Sequence, residues 1–184
     1  MNILKTDIEG VLIIDTEVFS DDRGYFFESY NRQKFIDAGI DAEFVQDNIS
    51  KSVKGTIRGL HYQVGDYAQG KLCQVLSGHV LDIAVDIRMG SPTYGKYVAV
   101  DLTYLNHRQI WIPPGFAHGF SVLSEEAVFS YKCTAFYSKK DERSILYNDP
   151  DLNIYWMTEN VIVSEKDRQA ELFRNIKPEF KFTG

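Results

Sequence analysis

Between residues 44 and 137 the chain is cut into short β-prone runs by glycine, proline, asparagine and serine, and that rhythm leaves few folds open to it. Runs at 44–50, 56–63, 71–76, 80–88, 96–104, 108–113, 116–123 and 127–137 follow one another, with turns such as Lys54-Gly55 and Ser77-Gly78 between them. Many short strands at close spacing indicate a sandwich or barrel. The 80–88 run shows the strand period. Leu81, Ile83, Val85 and Ile87 share one face; Val80, Asp82, Ala84 and Asp86 share the other. A helix cannot sort residues that way but a half-buried strand does, which predicts a solvated face for Asp82 and Asp86.

The flanks are more mixed. A first strand is predicted at 11–15, turn chemistry at Asp21-Asp22-Arg23-Gly24, and another β-prone segment at 25–30. Asn31 can cap a short helix that runs to about Ala38 and is closed by Gly39. In the tail, Asn148-Asp149-Pro150-Asp151 reads as a turn and Ser164 as the cap of a short helix. Aromatic residues make up 14% of the chain, a richness that suits strands and stacking surfaces better than helices. With no repeat, low-complexity segment or linker, residues 1–184 are expected to form one domain, large enough to bury a core without staples.

The formal net charge of −6 argues against a nucleic-acid binder, which would carry a basic face. An anionic substrate would have to be met by a local cluster of Arg and Lys. Cys73 and Cys133 lie on predicted strands at no metal-ligand spacing, so reduced structural thiols are expected. The first residues lack a basic region followed by an apolar run, and no window approaches a membrane span. A cytoplasmic location without membrane association is expected.

The chain has four histidines, and two of them, His61 and His118, sit among apolar and glycine residues. A lone histidine of that kind is more often a hydrogen-bonded core group than a working one. Arg58 changes the balance for His61. Period two puts residues 58 and 61 on opposite faces unless a bulge at Gly59 re-aims one of them. A buried-side arginine needs an anion, so sharing a cavity would place an anionic ligand beside a general base. Residue 63 is Gln where a His-x-His metal pair would need a second histidine, and a catalytic metal is not expected.

Other candidates carry less weight from the residues alone. Tyr131 shares a strand face with Phe129 and Cys133 and reads as packing. Lys71 reads as a solvated strand end, and Lys166-Asp167 as tail surface. In the 44–50 run, Phe44, Gln46, Asn48 and Ser50 face one way and Val45, Asp47 and Ile49 the other. Gln46 and Asn48 are either surface amides or readers of a heterocycle edge at a barrel mouth.

Together, Asp22-Arg23-Gly24, Phe44-Val45-Gln46-Asp47-Asn48, Arg58-Gly59-Leu60-His61, Gln69-Gly70-Lys71, Pro114-Gly115-Phe116-Ala117-His118-Gly119-Phe120 and Ser164-Glu165-Lys166-Asp167 resemble the dTDP-4-dehydrorhamnose 3,5-epimerases of bacterial deoxysugar synthesis. Each motif is weak alone, but six in order along nearly the whole chain are specific. The resemblance implies an all-β, cupin-type double-stranded β-helix (a jelly roll) with a few short helices. It also implies a homodimer whose N-terminal strands exchange between subunits, and no metal or other cofactor.

Carried onto matching positions, the resemblance makes His61 the base, Tyr131 the opposing acid, Asp167 the group that orients His61, and Lys71 the contact to the sugar ketone. Arg23, Glu28, Gln46, Asp47, Asn48, Arg58, His118, Glu142 and Lys166 would hold the nucleotide diphospho-sugar, with Phe19 or Tyr137 under the thymine. The chain departs from the family at Tyr155-Trp156-Met157, where Trp-Pro is usual, and at Phe136-Tyr137, where many relatives have two tyrosines.

The implied chemistry suits these residue types. A 4-keto sugar has hydrogens alpha to its carbonyl at C3 and C5, and removing either leaves an enolate. A lysine at the oxyanion stabilises that charge, a histidine takes the proton, and inversion needs a donor on the opposite face. Inversion at one carbon only is the alternative within the family. A non-catalytic nucleotide-sugar-binding cupin is the alternative outside it; such a module would keep the arginines but not His61, Lys71 and Tyr131 together.

Overall fold

A computed structural model describes residues 1–183. The strands are β1 (Asn2–Lys5), β2 (Leu12–Asp15), β3 (Val18–Asp21), β4 (Gly24–Phe27), β5 (Gln46–Val53), β6 (Ile57–Gln63), β7 (Lys71–Ser77), β8 (His79–Asp86), β9 (Tyr97–Thr103), β10 (Gln109–Ile112), β11 (Phe116–Val122), β12 (Glu126–Cys133) and β13 (Glu142–Ser144). The helices are α1 (Arg32–Asp37) and α2 (Glu165–Arg168). Two antiparallel sheets face each other, one in the order β1-β2-β10-β7-β12-β5 and one in the order β13-β6-β11-β8-β9, while β3 and β4 form a separate hairpin. The strand rhythm indicated a sandwich or barrel, and this is the jelly roll that the family resemblance implied.

Three apolar layers explain why the sheets stay together. Between them pack Cys73, Val75, Ile110, Ile112 and Phe129 from one sheet against Val80, Ala84, Val100, Leu102, Phe116 and Phe120 from the other. The outer face of the six-stranded sheet is covered by α1 and the segment after it, where Phe35 and Ile40 meet Ile14, Leu72 and Trp111. The tail covers the other outer face: Ile145, Leu152, Trp156 and Val163 lie on Leu60, Leu81, Ile83 and Val85.

The first and third layers together correct the expectation for 80–88, the inter-sheet layer lying on the Val80–Ala84 face and the tail on the Leu81–Val85 face. The strand is buried on both faces, and Asp82 and Asp86 are both fully buried rather than solvated. Asp86 is compensated by Arg88, Ser91 and Thr93, all within 2.9 Å of its carboxylate. Those bonds hold its carboxyl below the usual range although burial alone would raise it. A bare buried carboxylate would cost several kcal/mol.

Local chemistry behaves as the residue types require. The Asn31 side chain accepts from Lys34 N–H and Ser164 Oγ from Asp167 N–H, each satisfying an orphan donor of its helix. The strand at 2–5 has no strong β signal and was not expected; the runs at 25–30 and 127–137 stop earlier, at Phe27 and Cys133. Both cysteines are free and buried.

Candidate active site

The site begins with a bulge. On β11, His118 faces His61 and Phe120 faces Arg58, so two steps on one strand match three on its partner. The extra residue lies at Gly59-Leu60 on β6, the position at which a bulge would re-aim one of the two side chains. Gly59 sits at φ +132°, and a Cβ there would come 2.5 Å from Gly119 Cα and 2.8 Å from His118 O. Only two facing glycines allow the backbones so close. The outcome is that Arg58 and His61, which a regular strand would send to opposite faces, line one cavity of about 840 Å³. Gly59→Ala is therefore expected to destabilise the fold by about 1–3 kcal/mol, lowering the melting temperature by roughly 2–12 °C for a chain of this size. Calorimetry of the variant checks it, and an unchanged melting temperature would contradict this account of the bulge.

His61 and Tyr131 approach that cavity from opposite sheets, on β6 and β12. His61 Nε2 lies 2.6 Å from a carboxylate oxygen of Asp167, 106 residues away in sequence. Asp167 is buried rather than at the surface of the tail. Burial alone would raise its pKa, but His61, Ser164 and the Gly59 backbone N–H hold the carboxyl below the usual range. With Nε2–H donated to this carboxylate, Nδ1 keeps the lone pair and is the basic nitrogen of the ring. Met157 in place of proline has not displaced the pair; Trp156 is anchored through Nε1–H to Tyr147 O, and its own carbonyl accepts from Ser121.

Burial pushes the Tyr131 phenol up to about 12, so it stays protonated well past neutral pH. Lys71 is buried, not a solvated strand end. Its ammonium lies 6.0 Å from the centre of the Tyr131 ring, and it has no ion-pair partner among the described residues. Arg58 is exposed at the cavity rim rather than buried; it donates to Ser52 Oγ at 3.0 Å and meets no carboxylate among the described residues. His118 also lines the cavity, bonded to buried Asp82 at 2.9 Å. Burial holds its pKa below the usual value despite that carboxylate.

A smaller alcove of about 170 Å³ shares His61, Lys71 and Tyr131 and adds Gln46, Asn48, Tyr137 and Glu142. The two amides are ordered: Gln46 donates to Asn48 and accepts from Tyr137 N–H. Glu142 accepts from the Tyr137 hydroxyl and pairs with Lys166 at 2.6 Å. Gln63, where a metal pair would need histidine, holds the 136–138 loop instead through bonds to Phe136 O and Ser138 N–H.

Four of the candidate residues lie elsewhere. Asp47 faces outward and pairs with Lys132. Phe19 and Arg23 stand on the β3–β4 hairpin, Arg23 being tied to Asp21, and Glu28 pairs with Lys34. None of Phe19, Arg23 and Glu28 lines the cavity formed by their own chain. Conversely, Ser50, Ser52, Phe120 and Phe129 line it without having been singled out. For Ser50 the signal was present, since it shares a strand face with Gln46 and Asn48.

Fold and site together define a cupin-type jelly roll with titratable side chains on both walls of one cavity. A family model described as dTDP-4-dehydrorhamnose 3,5-epimerase matches residues 5–175, and the chain belongs to that family. It is 55% identical over 174 residues to a dTDP-4-dehydrorhamnose 3,5-epimerase of Shigella flexneri, covering 94% of this chain and 96% of the relative. A dTDP-4-dehydrorhamnose 3-epimerase of Streptomyces niveus is 35% identical, covering 94% of this chain and 84% of the relative. Among solved structures, a dTDP-6-deoxy-D-glucose-3,5-epimerase from Legionella pneumophila Philadelphia 1, in complex with dTDP-4-keto-L-rhamnose, superposes with a TM-score of 0.96 at 48% identity, covering 100% of this chain and 99% of that one.

Proposed function

We propose that the protein inverts C3 and C5 of dTDP-4-dehydro-6-deoxy-D-glucose to give dTDP-4-dehydro-L-rhamnose, a step of dTDP-rhamnose biosynthesis. One observation carries the reading: an imidazole–carboxylate pair and a phenol face a single cavity from opposite sheets, with an ammonium beside the phenol. Inversion at carbon needs a base on one face of the ring and an acid on the other, and a binding module needs neither.

In this reading Nδ1 of His61 removes the proton alpha to the ketone, and Asp167 stabilises the imidazolium that forms. Lys71 donates to the developing enolate oxygen, a preorganised contact worth about 3–4 kcal/mol. Tyr131 then returns a proton from the opposite face. The ring re-docks with its other alpha hydrogen toward His61 for the second inversion. Arg58 and His118 hold the diphospho-sugar, with Lys166 and Glu142 at the rim, while Gln46 and Asn48 satisfy polar edges beside Tyr137. These proton transfers run on side chains and call for no metal or cofactor.

Incubation with dTDP-4-keto-6-deoxyglucose in D₂O tests the reading, with deuterium expected at both C3 and C5 by NMR. The 3-epimerase among the relatives keeps single inversion open as a second reading, and label at one carbon only would establish it. Label at neither carbon, despite binding, would leave a nucleotide-sugar-binding cupin.

The chain is further read as one jelly-roll domain that works in the cytoplasm as a homodimer with exchanged N-terminal strands. Supporting this, Phe19, Tyr25 and Phe26 on the hairpin and Ile49 and Val53 on edge strand β5 are all more than half exposed, an apolar surface that favours a protein partner. The hairpin also carries Arg23, which does not line its own cavity yet is suited to a diphosphate in the partner's. Sedimentation is expected to give twice the chain mass; a monomer with full activity would remove the exchange.

A further inference from the structure

Behind the cavity wall, between the two sheets, Cys73 on β7 meets Asp82 on β8 and His118 on β11. All three are buried, Cys73 and Asp82 completely. His118 Nε2 lies 2.9 and 3.1 Å from the two Asp82 oxygens and 3.9 Å from Cys73 Sγ. One sulfur, one nitrogen and one carboxylate oxygen thus lie within 4.8 Å of one another. The polar satisfaction is thin. Both Asp82 oxygens depend on the single His118 N–H among the described residues, although a carboxylate has about four acceptor positions. Nothing in the proton chemistry proposed above uses Cys73 or Asp82.

We propose that Cys73, Asp82 and His118 form a site for a thiophilic divalent cation of the zinc class, and that its occupation inhibits the enzyme. Tetrahedral coordination at about 2.0–2.3 Å from the ion sets ligand atoms roughly 3.3–3.6 Å apart. His118 and Asp82 therefore open by a few tenths of an ångström while Cys73 closes on His118 by about as much, its approach to Asp82 starting from within 4.8 Å. Thiolate with imidazole and carboxylate selects zinc, cobalt(II) or cadmium over magnesium and calcium. On binding, Cys73 gives up its thiol proton to solvent, and the His118–Asp82 hydrogen bond is broken as the ring proton moves from Nε2 to Nδ1. The fourth coordination position belongs to water on the cavity side, because His118 is the ligand that reaches the cavity.

Inhibition follows from what the ion takes away. His118 turns its nitrogen to the metal and is lost to the substrate, and a dication beside the Lys71 ammonium disturbs the charge that meets the enolate. This last part rests on the epimerase reading; the binding site itself does not.

Cobalt(II) titrated into the metal-stripped chain under reducing conditions is expected to bind one equivalent. A thiolate-to-cobalt charge-transfer band in the near ultraviolet and intense tetrahedral bands in the visible should appear, and zinc should bleach both. Zinc should inhibit epimerisation over the same concentration range. Cys73→Val keeps a small apolar side chain at this core position and should fold and turn over as wild type. It should lose the cobalt bands and weaken zinc binding by more than the roughly 10–100-fold that loss of an outer partner costs. Asp82→Asn, of equal size, provides a second variant, and it too should lose tetrahedral cobalt. Absence of the thiolate band at excess cobalt, its survival in Cys73→Val, or its disappearance in Cys133→Ala instead would overturn the site. Because the cobalt spectrum needs no turnover, a chain inactive on the dTDP-sugar could still show the site, and an active chain without the band would lose the site alone.

Discussion

His61→Ala is expected to abolish solvent exchange at both C3 and C5 while leaving the fold intact. His61 is only partly buried and sits at the cavity surface, so its loss opens no sealed core volume. The effect falls on proton abstraction. A positioned general base contributes about 10²–10⁴ in rate, equivalent to about 3–5 kcal/mol of barrier. Asp167 would be left buried without its cation-forming partner, but its bonds to Ser164 and the Gly59 N–H remain. The measurement is deuterium incorporation by NMR alongside a melting curve. Exchange at a wild-type rate in a folded variant would remove His61 from the mechanism, and with it the role given to Asp167.

Tyr131→Phe should separate two events that His61→Ala removes together. The first proton can still leave to His61, so exchange persists, whereas reprotonation from the other face loses its donor and net inversion falls by about 10²–10⁴. Since the Tyr131 phenol is pushed up to about 12, wild-type inversion should not lose its acid as pH rises through 9 and 10. The phenyl ring keeps its packing against Phe129, and the fold should hold. Inversion at the wild-type rate would mean that another acid reaches that face.

Within the sequence, the short-strand rhythm was enough for a sandwich or barrel and the ordered motifs for a jelly roll, while Asn31 and Ser164 were legible as helix caps because capping is settled within three or four residues. A bulge at Gly59 was legible only as a condition, because it is settled by the register with the β11 partner. Burial was not. Asp82 and Asp86 looked solvated because their strand alternates, but alternation reports only that two faces differ in composition. Whether the second face meets water depends on what folds over it, and here a core fills one side while the tail from Ile145 to Val163 fills the other. Lys71 was misplaced in the same way, since a lysine that opens a strand gives no local sign of lying beneath an opposing sheet.

By itself, then, the sequence determined what depends on neighbours along the chain: the strand period, the turns, the caps and the ordered motifs that mark the family. Only the tertiary structure decided that Asp167 reaches His61 and that Tyr131 faces it from the other sheet. It alone also brought Cys73, Asp82 and His118 together inside the protein. The physical reason is that a side chain's proton affinity and its partners are set by charge and water within a few ångströms, and here those surroundings are built from segments dozens of residues apart.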